Sequence, residues 1–136
     1  MTKIYFDENI PVSLVHGMQH LDKPLNKKGD LEIQYLPDRL SPGTKDEDWI
    51  PVLGAEAAVV ITHDYGIHRK VAERDLYQQH GLSLIFFSPP SKSGYAYWKL
   101  VQQMVRRWQE IRKIALEEKR PFVFRYTSRK EKAERL

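Results

Sequence analysis

"AAVVITHD", Ala57 to Asp64, decides how the chain folds. Ala57 to Thr62 is a continuous apolar, β-branched run, and such a run suits a parallel strand covered on both faces. His63 and Asp64 follow it directly. "LSLIFF", Leu82 to Phe87, reads the same way and is stopped by Ser88-Pro89-Pro90. A third strand signal, Lys3 to Phe6, runs straight into two adjacent carboxylates, Asp7 and Glu8. Leu31 to Leu36 alternates apolar and polar as a half-exposed strand does. "PFVFRYT", from Pro121, predicts a last strand at the edge of the sheet.

Helical patterns separate these strands. Pro11 opens one with Val12, Val15, Met18 and Leu21 on one face, since proline is tolerated in a first turn. "PDRLSPGTK" reads as a loop, and "DEDWIPVLGAEA" after it predicts a short helix. Thr44 or Asp46 is its expected cap, the dipole favours acids in its first turn, and Pro51 delays or kinks it. "VAERDLYQQH" makes a helix ended by Gly81. From Tyr95 to Lys119, Val101, Met104, Val105, Trp108, Ile111 and Ala115 recur at helical spacing, with Gln102, Arg106, Gln109 and Lys113 opposite. Met104 and Trp108 read as core residues, and Trp98 is expected in the core as well. The alternation of strand and helix predicts an α/β sandwich with a mainly parallel sheet. One domain is expected over 1–126, followed over 127–136 by a charged tail with the composition of a disordered segment.

Composition narrows the chemistry. The chain has 136 residues, 41% hydrophobic and 29% charged, and no cysteine, which excludes disulfides, thiolate metal sites and cysteine nucleophiles. No apolar run approaches the ~20 residues of a membrane span and no apolar signal region opens the chain, so a cytoplasmic protein is the expectation. The net charge of +4 is uneven: Lys99 to Leu136 carries twelve Lys or Arg against five Glu, and the remainder ten against thirteen acids. A basic segment beside an acidic body suggests a polyanionic partner, although a solvated helix face with a charged tail gives the same count.

Ligands of parallel α/β sheets bind outside the carboxyl ends of the strands. Asp7 and Glu8 follow the first strand there, and Asp64 follows the "AAVVIT" strand. Asp46, Glu47 and Asp48 open a helix whose N-terminus lies at the same edge. Clustered carboxylates destabilise one another unless a cation relieves them, and magnesium or manganese is the usual relief. Such an ion can activate water and stabilise charge on a phosphate. Helix capping explains Asp46 to Asp48 equally well. His16 and His20 have a metal-ligand spacing but lack the Glu of an H-E-x-x-H helix, so they read as ordinary histidines. His63 adjoins the site. His68, Arg69 and Lys70 stand just beyond Asp64, as phosphate-holding cations or as a plain polar helix start. No nucleophile-elbow serine and no phosphate-cradling glycine loop is present.

"FDENIP", "DEDWIPVLG", "VVITHDYGIHRK" and "GLSLIFF", in this order, resemble the PIN-like proteins. The resemblance is specifically to the short group that opens with Asp-Glu-Asn-x-Pro and includes VapC-like toxins. The resemblance implies a three-layer α/β/α fold and a magnesium- or manganese-dependent endoribonuclease, commonly the toxin of a toxin–antitoxin pair. It carries a metal-ligand role to Asp7, Asp46 and Asp64, with Glu8 and Asp48 as candidate helpers. RNA, an antitoxin and a second copy of the chain are the partners it suggests, and "GYAYW", Gly94 to Trp98, is a candidate antitoxin contact. One departure stands out. Many relatives carry a second acid two positions after the Asp64 equivalent, where this chain has Gly66. A one-metal site, recruitment of Glu8, Asp48 or Glu73, or reduced activity would follow. Two other readings compete: a receiver-like phosphoacceptor domain, with Lys92 as its lysine, and a non-catalytic nucleic-acid-binding module on a degenerate nuclease fold.

Overall fold

Every residue from Ile4 to Phe6, and every residue of Val59–Thr62 and Ser83–Phe87, is buried, so these strands are covered on both faces. The computed structural model describes residues 1–63, 71–90 and 94–136. Its elements are β1 (Thr2–Phe6), α1 (Val12–Asp22), a 3-10 turn (Lys23–Leu25), β2 (Leu31–Tyr35), α2 (Leu36–Arg39), α3 (Asp46–Ala55), β3 (Val59–Thr62), α4 (Val71–His80), β4 (Ser83–Phe87), α5 (Tyr97–Glu117), β5 (Val123–Tyr126) and β6 (Glu134–Arg135). The strands form one six-stranded sheet in the order β2-β1-β3-β4-β5-β6, parallel throughout except for β6.

Strand side chains alternate between faces, and the two faces define two cores. Ile4, Phe6, Val59, Ile61, Ile85, Phe87 and Phe124 meet Leu14, Val15 and Met18 of α1 and Met104, Trp108 and Ile111 of α5. On the other face Tyr5, Val60, Leu84 and Phe86 meet Trp49, Ile50 and Leu53 of α3 and Tyr77 of α4. This is the expected α/β/α sandwich. Fully burying one such side chain is worth roughly 1.5–3 kcal/mol, so the paired layers are the main source of stability. Gly54 lets α3 come close to the end of α4: a Cβ there would stand 2.4 Å from the carbonyl oxygen of His80. At that chain end Gly81 takes a positive φ of 71°, and Leu82 N–H returns to Tyr77 O to close the helix.

Several expectations need correction. On α1 Val15 and Met18 are buried as expected, but Val12 and Leu21 are exposed, and Leu14 and Asp22 are buried in their place. The sheet sets which stripe of the helix faces inward, and the buried Asp22 is accepted there because Trp108 and Arg112 both donate to it. The start of "PDRLSPGTK" belongs to a short helix, Leu36–Arg39, rather than a loop. Neither Thr44 nor Asp46 caps α3: Lys45 occupies the N-cap without a side-chain bond, and Thr44 Oγ1 donates to Ser41 O. Pro51 lies inside α3, which begins at Asp46 despite it. Trp98 is 70% exposed rather than core, and Val105 is exposed too. β5 is not an edge strand, because Glu134–Arg135, within the charged tail, pairs with it as β6. No described helix is long and apolar enough to cross a membrane.

Candidate active site

The strand order fixes where a ligand can enter. From β1 the chain moves outward to β2, and then crosses back to β3 on the other side of β1. The crevice of such a sheet opens at the carboxyl ends of the two strands flanking this reversal. Asp7 stands at one of those ends and Thr62 at the other.

Asp7 continues the β1–β3 ladder by one bond, donating its N–H to Ile61 O at 3.0 Å. Its side chain is 5% exposed, and each carboxylate oxygen accepts a short bond. Asn9 N–H donates to Oδ1 and the Thr62 hydroxyl to Oδ2, both at 2.8 Å. Bonds to an ionised acceptor are about twice as strong as neutral ones, which offsets part of the cost of burying the charge.

Glu8 turns outward from the same tip, and its Oε2 accepts from the Gly43 N–H at 3.1 Å, tethering the loop before α3. Gly43 has a φ of 78°, a conformation that glycine adopts without strain. Asp46 opens α3, and Trp49, one turn on, donates its indole N–H to Asp46 Oδ1 at 2.9 Å. The indole is itself in the core, so it holds the carboxylate against a rigid support. Asp7, Glu8, Asn9, Thr44, Asp46 and Trp49 all line one cleft of about 50 Å³. That is several times the ~10–15 Å³ one water needs, so the cleft has room for a few water-sized groups beside the carboxylates. Negative charge concentrates here: burial raises the Tyr35 phenol above its ordinary value, and the charges of Glu8, Asp38 and Asp7 raise it further.

Among the described residues the donor set in the cleft is carboxylate and hydroxyl oxygen, which matches magnesium or manganese rather than zinc. Magnesium is commonly held by one or two carboxylates while keeping several waters, so Asp7 and Asp46 fit such an ion. Among the described residues no three His, Asp or Glu side chains cluster closely enough to hold a metal by themselves.

The other sequence-predicted residues divide. Asp48 is exposed in the first turn of α3 and does not line the cleft. Asp64, His68, Arg69 and Lys70, together with Gly66 and Lys92, lie outside the described residues. His16 and His20 are exposed on α1. His63 bonds through Nε2 to Asn9 O and lies edge-on to the Tyr95 ring, at 6.5 Å. It therefore joins the Asp7 loop to the segment leading into α5.

A family model described as "PIN like domain" matches residues 2–89. The chain belongs to the PIN-like domain family. PIN-like domains have a nuclease fold and typically use divalent metals, so family and donor set agree. No curated protein and no solved structure matches the chain.

In this PIN-like chain the arginines of the basic segment are largely engaged within the protein, while its lysines stay at the surface. Arg106, Arg125 and Arg135 pair with Glu131, Glu134 and Glu118, and Arg112 pairs with Asp22. Arg120 donates to Ala57 O and Thr2 Oγ1, and the buried Arg107 donates to Thr127 O and Lys130 O beneath the ring of Tyr126. Lys99, Lys113, Lys119, Arg129, Lys130 and Lys132 remain exposed. Sequence reasoning missed Asn9, Thr62 and Trp49 as supports of the acids. Only Thr62 had a signal in the sequence, a polar residue closing an otherwise apolar strand.

Proposed function

We propose that this PIN-like domain is a metal-dependent endoribonuclease, hydrolysing RNA phosphodiester bonds as the toxin of a toxin–antitoxin pair. The observation that carries the reading is the meeting of Asp7, Glu8 and Asp46 in one cleft at the crevice between β1 and β3. Asp7 and Asp46, with Asp64 from the segment after β3, would hold Mg2+ or Mn2+. When bound, the ion would supply a Lewis acid for the phosphate and lower the pKa of the attacking water.

The chain's own residues do the positioning. Thr62 and Asn9 hold the Asp7 carboxylate as an oriented acceptor, and Trp49 does the same for Asp46. Glu8, at the mouth and tied to Gly43, is the candidate group for orienting water. An acidic cleft alone repels phosphate, so the substrate backbone needs cations. His68, Arg69 and Lys70, just past Asp64 in the chain, are assigned that role.

The test is incubation of the purified chain with a mixed RNA pool in magnesium, manganese or EDTA, beside Asp7→Asn and Asp64→Asn. Cleavage that requires metal and disappears in both variants supports the reading. Cleavage that persists in EDTA, or at full rate in Asp64→Asn, overturns it. Co-expression with the neighbouring gene product, scored by rescue of growth, tests the toxin assignment.

One observation favours a second reading. The parallel strands run in the order 2-1-3-4-5, which flavodoxin-like sheets, including receivers, share. Topology alone does not separate the two, but a receiver leaves Asp46 and its Trp49 support unexplained. Labelling of Asp64 by acetyl phosphate without RNA cleavage would favour the receiver. RNA binding without cleavage in manganese would favour the degenerate, non-catalytic module.

A further inference from the structure

Arg107 is 3% exposed, and its guanidinium carbon lies 4.7 Å from the centroid of the Tyr126 ring. Nη2 donates to Thr127 O and Lys130 O, both at 3.0 Å, while among the described residues Nε and Nη1 have no hydrogen-bond partner. Buried charges are normally paired and fully hydrogen-bonded, because a desolvated charge without partners is expensive. This one meets a ring face and two main-chain carbonyls, and no carboxylate of the described residues pairs with it.

Both carbonyls belong to the segment that leads from β5 into β6. Thr127 directly follows the carboxyl end of β5, so the guanidinium is covered at the same edge of the sheet that carries the cleft. The covering segment, 127–136, is fastened lightly. Its ion pairs, Arg106 with Glu131, Arg125 with Glu134 and Arg135 with Glu118, involve side chains each at least 25% exposed. Exposed pairs contribute little and weaken with salt. β6 adds two residues to the sheet, and single bonds from Ala133 N–H to Glu110 Oε1 and from Leu136 N–H to Val123 O complete the fastening.

Weak ties thus hold down a cation whose closed state is costly. Lifting the segment takes both carbonyls away from Nη2, and Nε and Nη2 then form the planar fork that matches two phosphate oxygens. We propose that residues 127–136 are a strap that withholds Arg107, and that lifting it opens a phosphate-binding site on the guanidinium. The ligand is a phosphate group, as the free ion or in a nucleic-acid backbone. A ligand that binds only the open form has its apparent affinity reduced by the open fraction, so loosening the strap tightens binding without adding a contact. The site goes beyond the ribonuclease reading and needs neither the carboxylates nor a metal, so each stands or fails separately.

The experiment titrates the full chain, in EDTA, with inorganic phosphate and with a short labelled oligouridylate, and follows amide exchange over 127–136 by mass spectrometry. Ligand is expected to speed exchange at the Ala133 and Leu136 amides, whose bonds are lost on opening; a ligand of the closed form would slow it. Arg135→Gln deletes the pair with Glu118 and the contact of Arg135 with the Phe124 ring. It also removes a positive charge, so simple attraction predicts weaker anion binding, whereas the strap predicts binding tighter by roughly two- to fivefold. Arg107→Gln should abolish the exchange response and the gain from Arg135→Gln. Should it not fold, Arg107→Lys, which keeps the charge and loses the fork, should bind about tenfold more weakly. A response to inorganic phosphate supports a site for the free ion, and a response to the oligouridylate alone supports one for the nucleic-acid backbone. Slower or unchanged exchange with both ligands overturns the proposal. So does weaker or unchanged binding in Arg135→Gln, or full binding in the Arg107 variants.

Discussion

Thr62 donates its hydroxyl to Asp7 Oδ2 across 2.8 Å, joining the tips of two neighbouring parallel strands that are 55 residues apart in the chain. This bond sets the direction of the most buried carboxylate in the cleft. Thr62 is itself fully buried, so no water takes over when the hydroxyl is removed. Thr62→Val, which keeps the shape, should lose ~1.5–3 kcal/mol, the scale of a hydrogen bond to a charged group. Urea denaturation measures it; an unchanged midpoint would show that the bond does not support Asp7.

Trp49 supports Asp46 from the core side. Trp49→Phe keeps an aromatic ring in the core and deletes the indole N–H that Asp46 Oδ1 accepts. Loss of a partner that orients a metal ligand typically costs 10–100-fold in metal affinity or activity, so RNA cleavage should slow by roughly that factor. The manganese concentration for half-maximal rate should rise. Wild-type rate and metal dependence in Trp49→Phe would remove Asp46 from the ligand set.

Arg112 neutralises a charge buried far from the cleft. The Asp22 side chain is 1% exposed, and its Oδ1 accepts from Arg112 Nε at 3.0 Å and from Trp108 Nε1 at 2.9 Å. Arg112 also donates to Leu25 O and Asn26 Oδ1, pinning the turn after α1 onto α5. Arg112→Met leaves the carboxylate without its cation and should cost about 3–5 kcal/mol. Adding Asp22→Asn to that variant removes the buried charge and should restore part of the loss. A double variant less stable than Arg112→Met contradicts this account.

The Tyr5–Glu56 pair predicts opposite pH dependences at the two ends of the scale. Tyr5 Oη donates to Glu56 Oε2 at 2.9 Å, while Arg39 and Lys3 also face the carboxylate. Burial, then the Glu56 hydrogen bond and charge, push the Tyr5 phenol up to about 12. A raised folded value means that its stabilisation is complete below the unfolded value of ~10 and is lost as pH rises from there towards 12. For Glu56, burial acts upward but is outweighed by the bonds from Tyr5 and Arg39 and the charges of Lys3 and Arg39, so its carboxyl lies below its ordinary value. Its stabilisation is present above the unfolded value of ~4.3 and disappears as pH falls through the lower folded one. Urea midpoints measured across pH should show a flatter alkaline fall in Tyr5→Phe and a flatter acid fall in Glu56→Gln. Wild-type-like slopes in both would refute the pairing.

Some of this fold is written in short stretches. "AAVVIT" and "LSLIFF" declare buried parallel strands because a strand covered on both faces has no polar side to display, and that property needs only adjacent residues. The parallel alternation then brings Asp7 and the start of the Asp46 helix to one edge, as their cleft bears out. Properties that depend on which surfaces meet were not legible in the same way. The inward stripe of α1 depends on how the helix lies on the sheet, and Asp22 turns inward only because Trp108 and Arg112, 86 and 90 residues later, reach it. The basic count over Lys99 to Leu136 left a polyanion-binding segment and a solvated face equally open, and only closure of the tail onto β5 and α5 showed that Arg106, Arg125 and Arg135 are paired.

By itself the sequence determined the five parallel strands, the type of sheet and the place of Asp7 and Asp46 at its carboxyl edge, since periodicity and composition are local. Only the tertiary structure decided that Thr62 and Trp49 hold those acids and that Trp98 stands outside the core. Those outcomes depend on contacts between distant segments, which exist only once the sheet order has brought the segments together.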